Sequence, residues 1–90
     1  MVPKLKMFTT HDAVAGSFIH PFFLPNTAMA ERAFTQAVND PSHEFSRSPA
    51  DYTLYEIGEF DPNSGTIETA EKRAVANGAA VKRELQNVSN

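Results

Sequence analysis

The chain has 90 residues, enough for one domain with a modest core, because typical domains contain roughly 100–150 residues. It contains no cysteine, which excludes a disulfide framework and a thiolate metal site. Its net charge of −3 lacks the basic excess that duplex-DNA-binding proteins usually carry. No segment approaches the ~20 apolar residues of a membrane span, and residues 1–6 lack the apolar run of a signal peptide.

The first third of the chain predicts two strands that pair as a hairpin. Residues 4–10 alternate in polarity, as a half-buried strand does. Residues 17–23 are rich in aromatic and β-branched side chains, but Pro21 cannot donate a ladder hydrogen bond. This segment is therefore predicted to be an edge strand or a strand broken at the proline. Gly16, in the connection, can take a positive φ angle.

An amphipathic helix is predicted next. Apolar residues recur at spacings of three and four between Met29 and Val38, which places them on one face. Asn26 or Thr27 can cap the N-terminus, and residues 39–41, Asn-Asp-Pro, end the helix. One face of this helix is predicted to pack on the core and the other to face solvent.

A second hairpin is predicted after a loop over residues 40–51. Residues 52–60 form a strand in which a bulge at Gly58-Glu59 returns Phe60 to the side of Ile57. A turn over residues 62–65 then pairs Phe60 with Ile67 in a short strand over residues 66–69 and places Glu59 opposite Glu68. The predicted fold is α+β: residues 1–69 form a compact ββαββ domain, a small antiparallel sheet with one helix on one face.

Residues 70–90 are rich in alanine and charge and predict a C-terminal helix or a flexible tail. Ala70, Ala74, Val81 and Leu85 stripe one side of such a helix, although Asn77-Gly78 interrupts it. This segment holds four basic and two acidic residues, a balance of +2. Residues 1–69 hold four basic and nine acidic residues, a balance of −5.

No pattern of residues predicts catalysis, a metal or a cofactor. His11, His20 and His43 lie at spacings of nine and 23, which are not ligand spacings, so a zinc site is not favoured and His20 is predicted to be a surface or edge side chain. Four carboxylates in the second hairpin could converge on a cation: Glu56, Glu59, Asp61 and Glu68. The calcium-loop pattern is missing, however, and a solvated acidic edge is favoured. Neither a phosphate-binding glycine loop nor a nucleophile elbow is present, so we expect no enzyme activity.

Basic residues interleaved with aromatic ones are typical of surfaces that bind single-stranded nucleic acid, where bases stack on rings and cations contact phosphates. The candidate contact residues are Lys4, Lys6, Phe8, Arg47, Lys72, Arg73, Lys82 and Arg83. The alternative interpretation is that Phe8, Phe18, Phe22 and Tyr55 form the core of a small domain. In the same interpretation, the paired cations form an ordinary solvated helix face.

Residues 37–41 (Ala-Val-Asn-Asp-Pro), Phe45, residues 49–61 and Gly65 together resemble the small nonstructural protein of gokushovirus-type microviruses. The segment Pro21-Phe22-Phe23 fits the same pattern, and the resemblance covers about residues 4–69. These viruses are tailless phages with circular single-stranded DNA genomes. The resemblance implies a protein outside the virion that is linked to synthesis, coating or packaging of the single-stranded genome. It assigns no contact residue.

The leading functional hypothesis is a nonstructural phage accessory protein that binds single-stranded DNA during genome replication or packaging in the host cytoplasm. Phage replication or capsid assembly proteins are expected partners. A homodimer is also expected, because a sheet covered on one face often pairs with a copy of itself. The alternative is a protein–protein interaction module that regulates a phage or host replication protein without contacting nucleic acid.

Overall fold

The computed structural model describes residues 1–83, which form an α+β fold. Within these residues five antiparallel strands form one sheet. The strands are β1 (Leu5–Asp12), β2 (Ser17–Phe18), β3 (Phe22–Leu24), β4 (Tyr52–Asp61) and β5 (Thr66–Asn77). The helices are α1 (Thr27–Val38), α2 (Glu44–Arg47), a 3₁₀ helix (Pro49–Asp51) and α3 (Gly78–Val81).

The first hairpin is confirmed, including its break at Pro21. β2 and β3 both pair antiparallel with β1, and Pro21 lies between them, where no ladder hydrogen bond is required of it. Gly16 closes the β1–β2 connection with φ of +69°, a value that favours glycine. The sheet order is β2-β1-β4-β5, so β5 forms one edge and the short strands β2 and β3 form the other.

The second hairpin has the predicted register. Phe60 pairs with Ile67 and Glu59 with Glu68, and Gly65 ends the turn with φ of +74°. The bulge is present one residue earlier than predicted: Met7 faces Gly58 and Phe8 faces Glu56, so Ile57 is the extra residue of β4. Gly58 is needed beside this bulge, because a Cβ there would collide with the Glu68 carbonyl oxygen.

The prediction of a helix from Ala70 onward is wrong for residues 70–77. β5 continues through Asn77, so the predicted boundary between residues 69 and 70 lies inside a strand. Ala74 pairs with Tyr55 and Ala76 with Leu54, and this pairing with the ten-residue β4 overrides the helix propensity of alanine. The observed C-terminal helix, α3, has only four residues; the predicted continuation through Leu85 lies outside the described residues.

One helix packs on one face of the sheet, as predicted. The Asn26 side chain caps α1 by accepting a hydrogen bond from the Met29 backbone N–H at 2.9 Å. The predicted helix stop is also confirmed, since Asn39 forms the C-cap. The buried side chains of α1 pack on the sheet residues beneath them, together with one aromatic ring from α2. This core contains Phe8, Ala30, Phe34, Val38, Phe45, Tyr52 and Leu54.

Candidate nucleic-acid interface

The sheet face opposite α1 exposes large apolar side chains. On β1, side chains alternate, so Phe8 and Thr10 point toward the helix while Met7, Thr9 and His11 point away from it. We call the surface on this second side the open face and define it by Phe18, Ile19, Phe23, Tyr55, Phe60 and Ile67. Four of these side chains are 37% to 53% exposed, which is high for apolar residues of a sheet: Phe18, Ile19, Phe23 and Ile67.

Phe18 is the centre of an aromatic cluster at one end of the open face. It pairs with His11 across the β1–β2 ladder, and the two ring centroids are 4.6 Å apart. Tyr55 approaches the same ring edge-on at 5.8 Å. The Lys72 ammonium lies 5.8 Å from the Phe18 ring centroid, within the range of a cation–π interaction. An exposed ring and a cation therefore occupy the same place.

A cavity of about 310 Å³ lies beside Phe18. Its lining consists of Thr9, Phe18, Ile19, Pro21, Ile57 and Lys72. The Thr9 hydroxyl is not available to a ligand, because the residue is buried and its hydroxyl proton is donated to the Ile19 carbonyl at 2.6 Å. Lys72 is therefore the one lining side chain with an uncommitted polar group, and the cavity suits a flat apolar ligand with a nearby negative charge.

A second aromatic pair lies farther along the open face. Phe23 and Phe60 pack edge to face with ring centroids 5.8 Å apart. Phe23 pairs with Met7 of β1, and Phe60 pairs with Leu5 of β1 and Ile67 of β5. These ladder positions place all of them on the same side of the sheet as Phe18.

Phe8 is not a contact residue, contrary to the prediction. Its side chain is fully buried and stacks on Phe22 at 5.7 Å in the core beneath α1. The alternative assignment to the core is thus correct for Phe8 and wrong for Phe18, which is 46% exposed on the open face. An exposed aromatic ring is present on the open face, but β2 supplies it instead of β1.

Lys6 and Arg73 are both bound to one carboxylate, Glu56. The Lys6 ammonium lies 3.3 Å from Glu56 Oε2, the Arg73 guanidinium 2.5 Å from Oε1, and the Thr27 hydroxyl donates to Oε1 at 2.9 Å. Burial would raise the pKa of Glu56, but the hydrogen bonds from Thr27, Arg73 and Lys6 outweigh it and lower the pKa below its ordinary value. The Glu56 side chain is only 17% exposed, so a fully solvated acidic edge is wrong for this residue. We call these residues the Glu56 cluster.

Lys82 is also committed within the protein. Its ammonium donates to the Val38 carbonyl at 3.3 Å and to the Ser46 hydroxyl at 3.0 Å, which ties α3 to the end of α1. Arg83 is exposed, and its backbone N–H donates to Asn39. Lys4 and Arg47 are exposed at separate places, before β1 and at the end of α2. Of the eight candidates, only Lys72 joins an aromatic ring on the open face.

The prediction of His20 at the surface is confirmed, since this residue is exposed. His11 is half-buried against Phe18, and His43 accepts the Phe45 backbone N–H at 3.1 Å to cap α2. Within residues 1–83 no three His, Asp or Glu side chains form a group that could hold a metal ion. Over the same residues, none of the helices has the length and apolar character needed to cross a membrane.

The aromatic side chains of the open face were missed in the sequence, although a signal exists. In β4, Tyr52 and Leu54 share one parity and Tyr55 and Ile57 share the other, and both sets are apolar. A strand that is apolar on both faces, in a chain with one long helix, leaves one apolar face without a helix. To decide which of the two sets of residues is exposed, one must also know which face the helix covers.

These features define a small α+β domain whose sheet is covered by helices on one face and exposes an aromatic cluster with a cation on the other. The chain belongs to the Phage ORF5 protein family, because the model of that family matches residues 5–81, from β1 to the end of α3. It is therefore a nonstructural phage protein, as the resemblance implied. Comparison with curated proteins and with solved structures gave no significant match. The narrower assignment to gokushovirus-type microviruses stays a prediction.

Proposed function

We propose that the open face binds single-stranded DNA and that the protein serves phage genome replication or packaging in the host cytoplasm. The observation that carries this proposal is the exposed Phe18 ring with the Lys72 ammonium beside it. Exposed rings on a sheet are a common platform for unpaired bases, and a neighbouring cation contacts the phosphates. What supports Lys72 among the candidate cations is its position beside an exposed ring of the open face.

The polar groups of the site favour stacking over recognition of base edges. Thr9 is buried and its hydroxyl proton is donated to the Ile19 carbonyl, which leaves Lys72 as the accessible polar side chain of the cavity. A site of this kind cannot read the hydrogen-bonding pattern of a base. We therefore expect binding with little sequence preference and weaker binding to a duplex, in which the faces of the bases are stacked on one another.

The test is a fluorescence anisotropy titration of a labelled oligothymidine of about twelve nucleotides at about 50 mM and about 200 mM salt. The wild type should bind more weakly as salt rises. Phe18→Ala should weaken binding by about 1–3 kcal/mol, which is roughly 5- to 150-fold. Lys72→Ala should make the negative slope of log K against log salt shallower by about 0.7, because one phosphate contact is lost.

Two matched variants control for general effects on folding and charge. Met29 lies on α1, and its side chain is 44% exposed, close to the 46% of Phe18, so Met29→Ala removes a similar apolar surface elsewhere. Arg32→Ala removes an exposed cation from the same helix. Both should bind like the wild type. Absence of wild-type binding at low salt, or equal losses in Met29→Ala and Phe18→Ala, would refute the proposal.

The second candidate is an interaction module in which a protein covers the open face, a second copy of the chain included. The observation that favours it is the apolar character of the surface, with Phe23 and Ile67 exposed, combined with a net charge of −3. Light scattering tests the homodimer directly, because a dimer has twice the 9.9 kDa mass of the chain. A dimer that dissociates in Phe18→Glu, together with no DNA binding, would favour this candidate over the first.

A further inference from the structure

The open face contains two aromatic groups at different positions along β1. The first station is Phe18 with its neighbour Lys72, located where His11 of β1 pairs with Phe18. The second station is the Phe23–Phe60 pair, located where Met7 of β1 pairs with Phe23. Each station offers an aromatic ring that is 37% exposed or more, Phe18 in the first and Phe23 in the second.

The spacing of the two stations follows from the ladder of β1. His11 and Met7 are four residues apart on one face, which corresponds to about 13 Å along a strand. Successive bases along one strand of B-DNA are only about 3.4 Å apart. Neighbouring bases in a regular stack therefore cannot occupy both stations, whereas an unstacked single strand can separate its bases to that distance.

The surface between the stations supports continuous contact. Thr9 lies midway between Met7 and His11 on β1, and it contributes to the cavity that also contains Pro21 and Ile57. This region offers an apolar surface without a carboxylate in the cavity lining. A strand that crosses from one station to the other consequently meets no negative charge in the lining of this cavity.

We propose that a single strand binds both stations at once, with bases splayed on Phe18 and on Phe23 and with the intervening nucleotides crossing the cavity. This inference rests on the proposed function and adds a minimum length to the ligand. Linkage of two weak contacts through one strand raises the affinity well above that of either contact alone. A dinucleotide is too short to span the stations and gains nothing from this linkage.

The test uses Phe23→Ala and the labelled oligothymidine of about twelve nucleotides, with an unlabelled thymidine dinucleotide as competitor. Phe23→Ala should weaken binding of the longer strand by roughly 5- to 150-fold, the loss of one stacked base. The affinity of the dinucleotide, measured by competition, should differ little between wild type and Phe23→Ala, because the dinucleotide can still bind the first station. Met29→Ala is the matched control for loss of exposed apolar surface.

Phe23→Leu keeps an apolar side chain at the same position but removes the ring. This variant tests the second station if Phe23→Ala does not fold. It should also weaken binding of the longer strand. Wild-type affinity in Phe23→Leu, alongside weak binding in Phe18→Ala, would overturn the second station and leave the proposed function standing. Failure of the wild type to bind the longer strand would overturn both.

Discussion

Glu56 is the residue whose replacement tests the internal electrostatics of the fold most sharply. Its carboxylate accepts hydrogen bonds from Thr27 at the start of α1, from Lys6 of β1 and from Arg73 of β5. The Glu56 cluster therefore ties the helix and two strands to β4. Glu56→Gln keeps the size and one carbonyl acceptor but removes the charge, so it weakens all three contacts without opening a cavity.

The loss follows from the exposure of each partner. The Thr27 hydroxyl bonds to a charged oxygen that is only 17% exposed, and such a bond contributes about 1.5 kcal/mol. The Lys6 and Arg73 side chains are 34% and 61% exposed, so solvent screening reduces each ion pair to about 0.5 kcal/mol. The three contacts together contribute about 2.5 kcal/mol. Because the glutamine carbonyl still accepts a hydrogen bond, Glu56→Gln should lower the unfolding free energy by about 2 kcal/mol, which lowers Tm by roughly 10 °C.

The effect should depend on pH in a defined direction. The pKa of Glu56 is lowered in the folded protein, so its contribution to stability is complete above the ordinary value of 4.5 that the unfolded chain has. It is lost as the pH falls through the lower folded-state pKa. The difference in stability between wild type and Glu56→Gln should therefore be largest near neutral pH and shrink in acid.

Urea denaturation at several pH values measures this difference, with Glu59→Gln as the matched control. Glu59 is 40% exposed and lies 3.9 Å from Lys6, so its replacement should cost less than about 0.5 kcal/mol. Equal stability losses in the two variants would refute the reasoning. A difference between wild type and Glu56→Gln that grows in acid would refute it as well.

Two further predictions concern the packing of the strands and the end of α1. Gly58→Ala should lower the unfolding free energy by about 1–3 kcal/mol, because the new Cβ collides with the Glu68 backbone. Gly65→Ala should lower it by only about 1 kcal/mol, because its Cβ meets open space and only the positive φ is unfavourable. Thermal unfolding of the two variants measures the difference. Lys82→Met should lower the unfolding free energy measured by urea denaturation by about 1–2 kcal/mol, because the Val38 carbonyl loses its donor. Its affinity for DNA should stay at the wild-type value. An affinity loss equal to that of Lys72→Ala would contradict the separate roles assigned to the two lysines.

The local features of the fold were predictable because nearby residues determine them. Asn26 caps a helix whose apolar periodicity is unambiguous, and the turn before Thr66 determines which residues face each other in the β4–β5 hairpin. The pairing of Phe60 with Ile67 could be predicted for that reason. The position of the bulge was wrong by one residue, because it depends on how β1 matches β4 across the sheet.

The features that depend on distant parts of the chain could not be predicted. Residues 70–77 favour a helix by composition, but they become a strand because β4 offers a free edge along its whole length. Phe8 and Phe18 are alike in the sequence, and only the position of α1 decides that Phe8 is buried and Phe18 exposed. The cations show the same dependence: Lys6 and Arg73 are 67 residues apart in the chain yet meet at one carboxylate.

The most direct test of DNA binding on the open face is an NMR titration of the isotope-labelled protein with unlabelled oligothymidine. Backbone amide signals of Phe18, Phe23, Tyr55 and Lys72, and the ring signals of the three aromatic residues, should shift progressively. The backbone amide signals of Glu31 and Gln36 on the outer surface of α1 should stay in place. Shifts concentrated on α1, or a spectrum that does not change, would contradict the account.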